Sequence, residues 1–97
     1  MASGVQRFVG AYNGTGSALS IAKIGWKPSY VRIFNTDDAS FMEHFEGMPD
    51  ASCAKQKNAS SSFVTVNAIT LTDDGFDVGT DADLNTAGET LHFLALR

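Results

Sequence analysis

The feature that most limits how this chain can fold is a period-two alternation of apolar and polar residues, which returns in seven short runs along its 97 residues. The runs are Val5 to Tyr12, Ala18 to Ile24, Tyr30 to Phe34, Ser40 to Glu46, Phe63 to Leu71, Phe76 to Val78 and Glu89 to Leu96. Alternation of this kind sends successive side chains to opposite faces of a strand, so each run predicts a strand with one face on a core. Between them stand turn signals: Asn13-Gly14-Thr15-Gly16-Ser17, Asn35-Thr36-Asp37-Asp38 and Thr72-Asp73-Asp74-Gly75. Asn and Asp side chains satisfy nearby backbone groups there, and Gly supplies positive φ. No stretch has the spacing of an amphipathic helix. The expectation is a single all-β domain over residues 1–97, an antiparallel β-sandwich or barrel of about seven strands. A chain this short has material for one core and buries about 60 to 65% of its unfolded surface.

Ser20 to Phe34 reads as strand, break, strand, with the only tryptophan in the Gly25-Trp26-Lys27-Pro28 break. Pro28 cannot donate to a ladder and holds Lys27 extended, so the break is rigid while its flanks are free to pair. Trp26 is expected to cover one end of the core, and if it is fully buried its replacement by Ala costs about 3 to 5 kcal/mol. The glycines of Asn13 to Ser17 predict a hairpin joining Val5 to Tyr12 with Ala18 to Ile24. Trp26, Phe34, Phe41, Phe63, Phe76 and Phe93 are the core or interface candidates. Gly47 to Ser62 lacks periodicity and is rich in Ala, Ser, Lys and Asn, which predicts a long exposed loop. Gly79 to Gly88 reads as a second polar loop.

Charge narrows the functional classes. Met1 to Lys57 holds six basic and five acidic residues, whereas Asn58 to Arg97 holds six acids against Arg97 alone. Lys and Arg occur singly, with Lys55 and Lys57 the closest pair, so no basic patch is available to displace counterions from a nucleic acid. Cys53 is the only cysteine, which excludes an intrachain disulfide and a thiolate zinc site. The first residues lack a charged segment followed by an apolar one, and no apolar run reaches the roughly 18 residues of a membrane span. A soluble protein without a signal peptide is expected.

The candidate chemical sites are weak. The glycine loop lacks the Lys of a phosphate-binding loop. Asp81, Asp83 and Asn85 alternate oxygen side chains like half of a calcium loop, but the glycine and distal carboxylate of such a loop are missing, and turn-stabilising contacts explain them better. His44 and Glu43 point to opposite faces of a predicted strand, and His92 is remote from both. No nucleophile motif contains a serine or Cys53. Neither catalytic residues nor a cofactor or metal is therefore expected. Trp26, Tyr12 and Tyr30, if exposed, would instead suit stacking on sugars.

The set Tyr12-Asn13-Gly14-Thr15-Gly16, Ile24 to Val31, Phe45-Glu46-Gly47-Met48, Thr72 to Phe76 and Gly79 to Asn85 resembles a group of small tailed-bacteriophage virion proteins. The resemblance covers nearly the whole chain. It implies a non-enzymatic structural component, a capsid decoration (cement) protein made in the host cytoplasm and carried on the outer capsid surface. The implied partners are the phage major capsid protein and further copies of the chain as a homotrimer, with no nucleic acid and no membrane. Candidate shell contacts are the N-terminal segment 1–7, through Ser3, Val5 and Arg7, and the segment 47–62, through Met48, Pro49, Lys55 and Lys57. A tail-fibre or receptor-binding module and a carbohydrate-binding β-sandwich are the alternatives.

Overall fold

The computed structural model describes residues 6–97. They form one curled antiparallel sheet of eight strands, a half-barrel in which β1 (Arg7–Asn13) and β2 (Leu19–Ile21) are the two ends. The others are β3 (Tyr30–Asn35), β4 (Ser40–Phe45), β5 (Ser52–Lys57), β6 (Ser60–Thr72), β7 (Gly75–Val78) and β8 (Thr90–Leu96), in the order β1-β8-β3-β4-β5-β6-β7-β2. The concave side holds the core, built from Tyr12, Val31, Ile33, Met42, Ile69, Phe76, Leu91 and Phe93. Phe76 of β7 meets Phe93 of β8 edge-on at 5.1 Å, which joins two strands far apart in the sheet order and so marks the depth of the curl.

All seven predicted strands are present, and the eighth is β5, inside the segment expected to be a loop. SCAKQK carries no apolar alternation, yet it pairs with β4 through Ser40 to Glu43 and with β6 through Ser60 to Val64. Its order comes from those two neighbours and from ion pairs described below. Gly79 to Gly88 is likewise more than a loop: Ala82–Asn85 form a single helical turn, α1, whose N-cap Asp81 accepts a hydrogen bond from the Asp83 amide at 2.9 Å. Asn35 Oδ1 accepts from the Asp37 and Asp38 amides, so the turn after β3 is closed by the Asx chemistry expected of it.

The predicted hairpin of the first two strands is absent. β1 pairs with β8, and β2 pairs with β7. Gly14 explains the difference: the loop lies against Thr86, and a Cβ on Gly14 would stand 2.1 Å from the Thr86 carbonyl oxygen. Gly14 N donates to Glu89 O at 2.9 Å and Gly16 N to Asn85 O at 2.8 Å, so the glycines serve close approach to a remote segment. Asn85, only 1% exposed, completes the junction by accepting from Thr15 N and donating to the Gly79 and Ser17 carbonyls.

The Gly25 to Pro28 break is therefore a crossover, since β2 and β3 belong to different parts of the sheet. Trp26 packs against the core but is only half-buried. The loss from Trp26→Ala is accordingly expected at about 2 kcal/mol, below the full-burial range, read from the urea unfolding midpoint.

Candidate functional site

The convex side of β1, β8, β3 and β4 carries an apolar surface that the core does not use. Register places Val9, Leu94, Arg32, Glu43, Ala54 and Phe63 in one row across six strands. A second row runs Arg7, Leu96, Tyr30, Phe45, and a third Ala11, His92, Phe34, Phe41. Directly opposed residues share a face, so these side chains form one patch. Val9 is 73% exposed, Phe63 56% and Phe45 50%.

The patch is ordered by aromatic contacts. Phe34 and Phe41 stack at 4.6 Å, and the Arg32 guanidinium lies 4.4 Å from the Phe41 ring centre. Tyr30 leans on Phe45 at 5.0 Å and donates its hydroxyl proton to Glu43. Burial, then that bond and the Glu43 charge, push the Tyr30 phenol up to about 12, with Arg32 opposing. Arg32, Phe34, Phe41, His92 and Leu94 help to line a shallow depression of about 380 Å³. Arg7 and Arg32 against Glu43, the one acid of the three rows, leave this patch with one net positive charge on an acidic chain.

The site residues expected from sequence separate into two groups. Ser3 and Val5 lie outside the described residues. Arg7 stands exposed at the margin of the patch. Met48 and Pro49 lie in the β4–β5 connection beside Phe45, whose amide donates to Met48 Sδ at 3.1 Å. Lys55 and Lys57 are on the other side of the sheet, opposite Met42 and Ser40. There Lys55 Nζ reaches Asp81 Oδ1 and Asp83 Oδ2 at 2.8 Å each, and Lys57 Nζ reaches Asp83 Oδ1 at 2.9 Å. These two lysines clamp α1 to β5. Asp81 and Asp83, singled out as half of a calcium loop, are thus occupied by ammonium groups and a helix cap.

The other candidates are structural. His44 is buried and its Nδ1 lies 2.8 Å from Ser52 O, while Glu43 is on the convex face. Cys53 is fully buried, and burial, followed by the Asp81 charge, pushes its thiol up to about 12, which leaves it protonated and inert. Phe34 and Phe41 were legible only as core or interface candidates, and Phe45 and Leu94 not as a site at all. Their signal was present in strands such as TLHFLAL and YVRIFN, which are apolar on both faces although one face of a solvated antiparallel sheet is normally polar.

No family model matches the chain, and no curated protein or solved structure matches it.

Proposed function

We propose that this chain is a structural protein of a tailed-phage virion that decorates the capsid exterior, docking on the major capsid protein through the convex face of β1, β8, β3 and β4. The observation that carries the reading is the convex aromatic patch of half-buried Tyr30, Phe34 and Phe41 with exposed Phe45, since a contiguous apolar surface rimmed by polar groups marks a protein interface. The resemblance to small virion proteins supports the choice of partner, and Arg7 at the margin of the patch and Arg32 within it offer guanidinium groups to carboxylates of that partner. Each contact is weak, and stabilisation of the shell comes from many copies acting together.

Purified protein is expected to co-sediment with expanded capsids in stoichiometric copies, and Phe45→Asp is expected to weaken that binding by at least about tenfold without lowering the unfolding midpoint. The Arg32–Phe41–His92 depression is the observation that favours the second reading, a glycan- or receptor-binding module. Labelled protein confined to the phage tail, or retained on a glycan array and not on capsids, would select that reading and reject decoration.

A further inference from the structure

Among the described residues the sheet has three free edges, and two of them are protected. β2 is only three residues long. β1 begins with Arg7, and Lys23 Nζ lies 3.2 Å from the Ala11 carbonyl oxygen, so a lysine already covers part of its edge. Short edges and edge lysines are devices that prevent strand addition.

The third edge has no such device. β6 is 13 residues long, but β7 pairs only with Ile69 to Thr72, so Ser60 to Val64 has β5 on one side and, among the described residues, no strand on the other. No charged residue and no proline occurs from Asn58 to Thr72. The segment ends at a bulge, Thr65 to Ala68, which lies between the Cys53↔Val64 and Ser52↔Ile69 pairs, contains Asn67 at φ 58°, and gives its Asn67 and Ala68 carbonyls to the Asp81 and Gly79 amides. Phe63 and Val66 are 56% and 63% exposed there. The charges opposite it on β5, Lys55 and Lys57, are paired with Asp81 and Asp83.

From these features we infer that the Ser60–Thr65 edge pairs antiparallel with the same edge of a second copy, about a two-fold axis. Charge leaves this edge as the place where two copies can meet. Two copies of a chain with net charge -4 repel over most of their surfaces, and this is the one long edge that brings no like charges together. An antiparallel pair of identical uncharged strands is also self-complementary, as a two-fold contact requires. The backbone ladder supplies the affinity, and Phe63 adds apolar burial on the convex face. A contact of about six residues buries less than the roughly 1,200 Å² of a standard interface, so the dimer is weak and forms at high local concentration, as on a crowded lattice. The inference does not depend on the virion reading.

The test is sedimentation equilibrium of the full chain without capsids, together with hydrogen exchange of the 60–66 amides. Expected are a monomer–dimer equilibrium and amide protection of 60–66 that rises with protein concentration. Phe63→Lys and Phe63→Glu should each raise the dimer dissociation constant by at least about tenfold, with unchanged unfolding midpoints, and mixing the two variants should restore association. A wild type that is monomeric at every concentration, a trimer in place of the dimer, or failure of the mixed variants to associate would overturn the proposal. Protection of 60–66 that appears only when capsids are added would do so too, and would assign the edge to a strand of the shell.

Discussion

Phe76→Ala is expected to lower the unfolding free energy by about 3 to 5 kcal/mol, the loss typical of a fully buried phenylalanine. Phe76 stands on β7 and meets Phe93 on β8, and Phe93 in turn stacks on Phe8 and tilts against Tyr12 of β1. This chain of rings fills the space between the two limbs of the half-barrel. β7 and β8, which carry Phe76 and Phe93, are held by backbone ladders on both sides, so they cannot close on the cavity. Against a total stability of about 5 to 15 kcal/mol for a domain of this kind, the variant would be marginal at room temperature. The measurement is the urea midpoint at unchanged slope. A loss below about 1 kcal/mol, the size expected for an exposed residue, would mean that the limbs do not depend on this contact.

Asp83→Asn should show its effect through pH. Burial acts to raise the Asp83 pKa, but the hydrogen bonds and charges of Lys55 and Lys57 outweigh it and hold the carboxyl below the usual carboxylate range. For Lys55, burial lowers and the Asp81 and Asp83 bonds raise, and the balance is upward; for Lys57 the Asp83 bond raises it. A depressed carboxylate contributes stability that is present above its unfolded pKa of about 3.9 and lost as pH falls through the folded value. A raised lysine contributes stability that is complete below about pH 10.4 and lost as pH rises through its folded value. The α1 clamp is thus intact from about pH 5 to 10 and fails in acid first.

At pH 7 the substitution should cost about 2 kcal/mol, less than a fully buried pair, because Lys57 is 42% exposed and Asp81 still holds Lys55. In acid, as pH falls past the unfolded value of about 3.9 and on through the lower folded pKa of Asp83, wild type and variant should converge. Urea midpoints at pH 7 and in acid check this. A difference that stays constant into acid would mean that Asp83 acts through its α1 backbone and not through its charge.

The wrong strand partners and the missed strand have separate causes. Asn13 to Ser17 has the composition of a hairpin turn, but the partner of β1 is chosen 77 residues later, where Thr90 bonds Asn13. Turn chemistry is local and strand pairing is not. β5 was illegible because its inward residues include two lysines. Only the arrival of Asp81 and Asp83 from α1 makes that face tolerable, and those acids read as an isolated turn. In β6 the alternation itself misleads: Val64 packs against the core and so does Ile69, five residues on, because the bulge between them changes the parity.

What the sequence alone determined was the all-β class, the position of seven strands and the turn after β3, because period two follows from the backbone pleat and Asx closure from neighbouring atoms. The tertiary structure decided which aromatic face turned inward. Phe76 and Phe93 lie in the core while Phe34 and Phe41 lie on the convex surface, although all four sit in short apolar runs of the same kind. The curl of the sheet makes one side concave, and only that side can exclude water. The residues left outside by that curvature form the surface on which the proposed function rests.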